Sequence, residues 1–169
     1  LAKAYSQAHH PSNKRLGPIP SWPGHERIRV GYFSADFHNH ATAWLMAELF
    51  EQHDRTRFEW WAFSFGPASD DPIRRRLGAA FDHFIDVRGQ SDAAVAQLAR
   101  SLEIDIAVDL KGFTQDQRAG IFAQRTAPVQ VNYLGYPGSM GMAEMDYLLA
   151  DPEVLPDDLK PACSEQVVR

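Results

Sequence analysis

The chain has 169 residues, 44% of them hydrophobic and 23% charged, which is the composition of a globular domain and not of a disordered segment. Lysine and arginine total 17 against 22 aspartate and glutamate residues, and the net charge of −5 argues against a nucleic-acid-binding protein. No apolar run approaches the roughly 20 residues of a membrane span, and the first residues lack a signal-peptide pattern. Cys163 is the only cysteine, which excludes an intrachain disulfide. We predict a soluble protein of the cytoplasm.

The first 27 residues differ in composition from the rest of the chain. Pro11, Pro18, Pro20 and Pro23 fall in a short stretch that also holds two glycines, which disfavours both helix and central strand. The opening residues LAKAYSQAHH are compatible with the last turns of a helix. We therefore predict that residues 1–27 are a linker from an upstream helical region, and that the chain begins within a longer protein.

After the linker, apolar runs rich in β-branched and aromatic residues alternate with stretches of helical periodicity. One predicted helix places Leu45, Met46, Leu49 and Phe50 on a single face, and another follows a Ser91–Asp92 start signal. The predicted strands are IRVGYFS (28–34), FEWWAFSF (58–65), HFIDV (83–87), IDIAVDL (104–110), VQVNYL (129–134) and MDYLLA (145–150).

Strands joined by helical crossovers predict an α/β fold, a Rossmann-like and mostly parallel sheet with helices on both faces. Three prolines make the tail at 151–162 a loop-rich exit. In such a sheet, ligands bind outside the carboxyl ends of the strands, so unusual residues that follow strands are candidates for one shared crevice. The segments of this kind are ADFHNHAT (35–42), KGFT (111–114) and LGYPGSMG (134–141).

The segment at 35–42 is the richest in reactive side chains and directly precedes a predicted helix. A helix N-terminus offers unpaired N–H groups and a partial positive charge, which suit a phosphate or a developing anion. His40 could take a proton from a hydroxyl there, because an unperturbed histidine titrates near neutral pH. A structural alternative stays open, in which Asn39 or Thr42 caps the helix and Asp36 holds a turn.

The other two segments each allow two interpretations. Glycines in the 134–141 loop either let the backbone approach a ligand or only form a turn, and a GxGxxG dinucleotide fingerprint is absent. Lys111, two residues after Asp109, could steady a phosphate or be a solvated charge. We predict a solvated helix face for the basic run Arg74–Arg76 and strand core for the aromatic residues at 58–65.

A metal site is a further interpretation of the first segment. His38 and His40 have the His-x-His spacing that follows the first strand of a metal-dependent amidohydrolase barrel. Such a site needs further ligands at later strand ends, which the remaining histidines do not supply. A barrel of eight strand–helix units also needs about 250 residues. We therefore expect no metal site.

Three motifs that occur in order resemble one family. The segments RVGYFSADFHNHATAWLM, DLKGFT and APVQVNYLGYPGSMG, with MDYLLAD after them, are similar to the catalytic region of O-GlcNAc transferases and SPINDLY-like glycosyltransferases. The resemblance implies tetratricopeptide repeats followed by two Rossmann-like lobes of the GT-B type, without a metal or another cofactor. Residues 28–169 would be the N-terminal catalytic lobe. The second lobe, which carries the nucleotide-binding lysine in this family, is missing from the chain.

The resemblance implies transfer of GlcNAc from UDP-GlcNAc to Ser or Thr hydroxyls of proteins. His40 and Thr42 would face the donor sugar and its diphosphate, and His40 is a candidate for the catalytic base. Asp36 and Asn39 would face the acceptor or orient the histidine. The loop residues implied to contact the sugar are Leu134 and Gly135.

The chain departs from the family pattern at three positions: His38 stands where glycine is frequent, Ala41 where proline is frequent in animal members, and Cys163 where tyrosine is commoner. Two alternatives to GlcNAc transfer stay open. The donor could be another nucleotide sugar, such as the GDP-fucose of SPINDLY-type members, or the chain could be a catalytically silent scaffold. The implied partners are a nucleotide sugar, protein acceptors, the repeats and the second lobe. The lobe alone is expected to fold but to transfer no sugar.

Overall fold

The structure, a computed structural model, describes residues 1–22 and 24–169 and contains one seven-stranded sheet in which all neighbouring strands are parallel. The strands are β1 (Ile28–Ser34), β2 (Phe58–Ser64), β3 (His83–Asp86), β4 (Ile106–Asp109), β5 (Val129–Tyr133), β6 (Tyr147–Leu149) and β7 (Gln166–Val168). The helices are α1 (Ala2–His9), α2 (Ala41–Glu51), α3 (Pro72–Ala80) and α4 (Asp92–Ser101), with 3₁₀ turns at Phe122–Gln124 and Asp157–Ala162.

All six predicted strands are present, and each is at most two residues shorter at either end than its apolar run. Strand β7 was not predicted, because three residues at a sheet edge are too few for a recognisable pattern. Within the described part of the linker, residues 10–22 and 24–27 form neither helix nor strand. Pro23, one of the four linker prolines, lies outside the described residues.

The strand order across the sheet is β3-β2-β1-β4-β5-β6-β7, so the chain moves outward in one direction through β3 and then in the other from β4. Helices α2 and α3 pack on one face through Met46, Phe50 and Leu77. Helix α4 packs on the opposite face through Val95 and Ala99. The predicted arrangement, a parallel sheet with helices on both faces, is confirmed.

Helical crossovers end at β4, which the sequence pattern did not predict. The connections from β4 to β5 and from β6 to β7 contain only 3₁₀ turns, and the connection from β5 to β6 is a loop among the described residues. One face of the sheet beyond β1 consequently forms an apolar groove beside α2. Its lining includes Leu49, Val131, Leu149 and Val168. No helix among residues 1–22 and 24–169 combines the length and hydrophobicity needed to cross a membrane.

Helix α2 buries a narrower face than its sequence predicts. Met46 and Phe50 are 2% and 1% exposed, whereas Leu45 and Leu49 are 71% and 42% exposed. Residues four apart in a helix lie on one face, but their neighbours at the preceding position point about 100° away. The prediction that all four face the core is therefore wrong for the two leucines.

Between the two halves of the sheet, β1 and β4 lie side by side, paired from Val30 with Ile106 to Phe33 with Asp109. The connection after β1 leads to one side and the connection after β4 leads to the other. This is the topological switch point at which open parallel sheets form a crevice at their carboxyl edge.

Candidate active site

At the switch point, the residues that follow β1 and β4 are joined by a buried ion pair. The Nζ atom of Lys111 donates to both carboxylate oxygens of Asp36, at 2.9 and 2.8 Å. The side chains of Lys111 and Asp36 are only 6% and 8% exposed. The prediction of a solvated charge is wrong for Lys111, because its ammonium group is buried and paired. The alternative, that Lys111 steadies a phosphate, stays a prediction.

Close to the ion pair, His40 caps the N-terminus of α2. Its Nδ1 atom accepts the backbone N–H of Thr42 at 3.2 Å, and Oδ2 of Asp36 lies 3.6 Å from the same nitrogen. Neither Asn39 nor Thr42 is the capping residue that the structural alternative assumed. The His40 side chain is 42% exposed, so a substrate can reach its ring.

The hydrogen bond to Thr42 assigns the tautomer of the neutral His40 ring. A neutral imidazole has one nitrogen that donates and one that accepts. Since Nδ1 accepts the Thr42 N–H, the ring hydrogen belongs on Nε2. In this state, Nε2 is a hydrogen-bond donor, whereas the predicted role of catalytic base requires the other tautomer.

Asn39 is held by two neighbours that the sequence analysis did not single out. Its backbone N–H donates to Oδ2 of Asp71 at 3.0 Å, and its side-chain oxygen accepts the indole N–H of Trp44 at 2.9 Å. Asp71 also caps α3. The hydroxyl of Ser69, which donates to this carboxylate, lowers the pKa of Asp71 to about 2.

Arg74 braces the same segment from α3. Its Nη1 atom donates to the carbonyl of Phe37 at 2.9 Å and to the Ser64 hydroxyl at 3.0 Å, and its guanidinium lies 4.9 Å from the ring centre of Phe84. The prediction of a solvated basic run is therefore wrong for Arg74. Helical geometry explains the difference, because Arg75 on the next position remains exposed.

Asp109, at the end of β4, holds the backbone of the lysine segment. Its Oδ1 atom accepts the N–H of Lys111 at 2.8 Å. Burial raises the pKa of Asp109 to about 6, and this hydrogen bond and a second one from the Gly112 N–H oppose the rise. The carboxyl groups of Asp36 and Asp109 thus approach Lys111 from adjacent strands, one at its ammonium and one at its main chain.

The glycine loop meets this segment from β5. Leu134 has a φ of 67°, a strained conformation for a branched side chain, and Gly135 donates its N–H to the carbonyl of Tyr133 at 2.9 Å. A Cβ atom on Gly135 would lie 2.0 Å from the carbonyl oxygen of Leu110 and 3.0 Å from Cα of Lys111. The absent side chain at Gly135 therefore lets the loop pack against the segment that follows β4.

Glu165, just before β7, fixes the far end of that loop. It is buried, and it accepts the N–H of Met140 at 2.6 Å and the hydroxyl of Ser139 at 2.7 Å. No role was predicted for this residue, since the loop-rich exit predicted at 151–162 ends before it. A buried glutamate beside two serines has no local pattern that distinguishes it from a surface residue.

Helix α1 forms one wall beside these loops. Tyr5 packs edge-on against Phe113 at 4.9 Å between ring centres, and Phe113 lies 5.7 Å from the ring of Tyr136. The backbone of Lys3 comes so close to Gly141 that a Cβ there would lie 2.3 Å from its nitrogen. The structure thus brings α1 and the loops after β4 and β5 into contact.

Lys111 is the common neighbour of the predicted site residues. It pairs with Asp36, which lies beside His40, and its main chain packs against Gly135, next to Leu134. Asn39 instead contacts Trp44 on the exposed side of α2. Among residues 1–22 and 24–169, no three His, Cys, Asp or Glu side chains are grouped as metal ligands would be.

An all-parallel sheet with polar residues concentrated at its switch point is the architecture of a Rossmann-like lobe, in which ligands bind in the crevice at that point. The particular family follows from comparison with known proteins. The profile of Glycosyl transferase family 41 matches residues 14–168, and the chain belongs to this family. The family resemblance predicted from the three motifs is confirmed.

Two relatives and one solved structure give the same assignment. The chain is 35% identical over 151 residues to a probable UDP-N-acetylglucosamine–peptide N-acetylglucosaminyltransferase, SEC, of Arabidopsis thaliana, covering 89% of the chain and 16% of the relative. It is 35% identical over 147 residues to the UDP-N-acetylglucosamine–peptide N-acetylglucosaminyltransferase of Caenorhabditis elegans, covering 84% and 12%. A mutant O-GlcNAc transferase of Thermobaculum terrenum superposes with a TM-score of 0.87 at 34% identity, covering 99% of this chain and 32% of that one. The chain therefore spans a minor part of each protein.

Proposed function

We propose that the chain is the N-terminal catalytic lobe of a protein O-glycosyltransferase that moves GlcNAc from UDP-GlcNAc to Ser or Thr hydroxyls. The observation that carries the proposal is the junction at the switch point. There, Lys111 links the segment that contains Asp36 and His40 to the loop that contains Leu134 and Gly135. The names of the similar proteins from Arabidopsis and Caenorhabditis support the donor and the peptide acceptor.

In the proposed reaction, the acceptor hydroxyl oxygen bonds to the anomeric carbon while the bond from that carbon to the diphosphate breaks. UDP leaves with the electron pair, and the hydroxyl proton passes to a base or to solvent. The N-terminus of α2 and the Nε2–H of His40 would stabilise the negative charge that develops on the diphosphate. Thr42 would contribute to the same anion site, and Leu134 and Gly135 would contact the sugar. Asp36 and Asn39 would order the segment on the acceptor side.

The complete protein is proposed to be cytoplasmic, to carry tetratricopeptide repeats before this lobe and a second lobe after it, and to need no metal or other cofactor. Two cationic side chains that contact the segment at 35–42, Lys111 and Arg74, are already engaged within the lobe. A diphosphate therefore needs further cationic contacts, which the second lobe would provide.

The test is a donor panel on the complete protein. UDP-GlcNAc, GDP-fucose and other nucleotide sugars are incubated with a Ser/Thr-rich protein mixture, and mass shifts are read for the wild type and for His40→Ala. We expect the acceptors to gain the mass of a HexNAc. The rate of this transfer should be about 10²- to 10³-fold lower for the variant, the usual loss when a hydrogen-bond donor to a developing anion is removed.

His83→Ala is the matched control, because His83 is also 42% exposed and also lies next to a carboxylate, that of Glu59. It differs in place, since it begins β3, the outermost strand of the sheet. It should retain wild-type transfer. A deoxyhexose mass shift would indicate GDP-fucose as the donor and leave the proposed role of the lobe unchanged. The absence of a mass shift with every donor would favour the catalytically silent scaffold.

A further inference from the structure

Lys111 is buried in a place where an unpaired ammonium group would be costly. A buried charge requires a partner that also satisfies its hydrogen bonds. Asp36 meets that requirement with both carboxylate oxygens, at 2.9 and 2.8 Å from Nζ. The lysine therefore fixes the direction in which the Asp36 carboxylate points.

That direction matters for the nearest reactive group, His40. Oδ2 of Asp36 is 3.6 Å from Nδ1 of His40, beyond hydrogen-bond distance. Nδ1 instead accepts the backbone N–H of Thr42 at 3.2 Å. If Oδ2 came within hydrogen-bond distance, Nδ1 would have to carry a hydrogen, and the bond from Thr42 would be lost. Two neighbours compete for one nitrogen, and Lys111 holds one of them away.

We propose that Lys111 is a positioning residue that, by holding the Asp36 carboxylate, keeps Nδ1 of His40 as a hydrogen-bond acceptor and the ring hydrogen on Nε2. The inference rests on the proposed function, in which Nε2–H donates to the departing diphosphate. Lys111 acts through Asp36 and His40 and touches no substrate itself.

Several other charged or titratable side chains surround the segment. Asp109 contacts the main chain of Lys111, His38 lies 5.8 Å from the His40 ring, and Asp71 and Arg74 hold the backbone of the segment from α3. Of these groups, none is placed between Asp36 and His40 among the described contacts. The exchange of partners at Nδ1 thus depends on Lys111.

The test compares Lys111→Met with Lys160→Met in the complete protein. Lys160 is also a paired lysine, but it lies on the Asp157–Ala162 turn and contacts Asp157. For Lys111→Met, we expect kcat to fall at least tenfold with the donor KM within about twofold, since the ring presents the wrong nitrogen. Lys160→Met should match the wild type.

Asp36→Asn tests whether the effect passes through the carboxylate. Adding Lys111→Met to Asp36→Asn should not lower kcat further, because the carboxylate through which the lysine acts is already absent. The double variant also contains no buried charge without a partner, so it provides the comparison even where an unpaired carboxylate destabilises the single lysine variant. A further tenfold loss of kcat in the Asp36→Asn background, or an unchanged kcat in Lys111→Met, would overturn the proposal.

The state of the ring gives a readout that does not need sugar transfer. Nitrogen NMR of ring-labelled histidine, assigned through His40→Gln, should show Nε2 protonated in the wild type and Nδ1 protonated in Lys111→Met. An unchanged tautomer would contradict the positioning role. If the wild type transfers no sugar but its His40 tautomer differs from that of Lys111→Met as described, the proposed function is rejected and the positioning role of Lys111 is supported.

Discussion

Leu134 and Gly135 show how two adjacent residues can define one edge of a site. Leu134 accepts a left-handed backbone, and Gly135 supplies the missing side chain that lets the loop lie against the carbonyl of Leu110. Strain in such a position is maintained only when the surroundings fix it. Here, the Cα of Lys111 packs on one side of the loop, and Glu165 anchors its far end through Met140.

Gly135→Ala should therefore displace the loop. The added Cβ would lie 2.0 Å from the Leu110 oxygen, a backbone atom that cannot move aside alone. We expect a loss of about 1–3 kcal/mol of unfolding free energy and at least a tenfold loss of transfer. Chemical denaturation and the donor assay measure the two effects.

Gly89→Ala is the control, because a Cβ at Gly89 meets no atom within 4 Å. It should change neither quantity appreciably. If Gly135→Ala were as active and as stable as Gly89→Ala, the close contact between the loop and β4 would not matter for the site.

At the scale of elements, the β1–α2 segment is held by α3 as well as by β4. Arg74 binds the carbonyl of Phe37, and Asp71 binds the N–H of Asn39. Helix α3 is also joined to α2 by the pair Arg76–Glu51. The segment between β1 and α2 is thus held by a helix that carries none of the predicted site residues.

The linker is an element of its own, and His25 clasps it to the amino ends of the strands. Both ring nitrogens lie next to carboxylates, Nε2 at 2.8 Å from Glu103 and Nδ1 at 2.9 Å from Asp105. Trp22 donates to the same Asp105 at 3.0 Å. Since both nitrogens can donate only in the charged ring, the clasp favours the imidazolium.

This clasp predicts a pH-dependent stability. The hydrogen bond to Glu103 raises the pKa of His25 above its ordinary 6.5. Its stabilising effect is therefore complete below that value and is lost as the pH rises through the folded-state pKa. We expect His25→Gln to cost about 1 kcal/mol of unfolding free energy at pH 5.5, and the difference from the wild type to shrink by pH 9.

Urea unfolding at several pH values measures that difference. His9→Gln, an exposed position on α1, should give a difference that does not vary in this way. A wild-type advantage that grows with pH would contradict the predicted direction.

At the scale of the whole molecule, the proposed reaction uses this chain as one side of the crevice. The lobe supplies the N-terminus of α2, His40 and the glycine loop, but Lys111 is already paired with Asp36. In the proposed reaction, a second set of contacts to the nucleotide and its diphosphate would come from the second lobe. The chain spans only 16% and 12% of two similar proteins and 32% of the solved structure.

We therefore predict that the 169-residue chain alone transfers no sugar from any donor, while the complete protein does. Positioning two substrates accounts for a large part of a transfer reaction, and a lobe that contacts one side of the donor cannot provide it. Mass spectrometry of acceptor proteins after prolonged incubation is the measurement. HexNAc transfer by the chain alone would show that the site is complete within it.

Local sequence patterns were sufficient for six of the seven strands and for the family. Apolar runs such as IRVGYFS mark strands because a parallel sheet is covered on both faces, and Ser91 marks the start of α4 because its hydroxyl accepts the N–H of Ala94. The motifs around His40 and Leu134 identified the family because residue type and order are themselves sequence properties.

Which residues meet across the sheet follows from the tertiary structure alone. Lys111 and Asp36 are 75 positions apart, and the sequence left the lysine as either a phosphate ligand or a solvated charge. Arg74 and Glu165 likewise had no local pattern that distinguished them from surface residues. Burial and pairing depend on which strands lie side by side, and the order of strands in a sheet is set by the packing of the whole chain, not by the residues of any one segment.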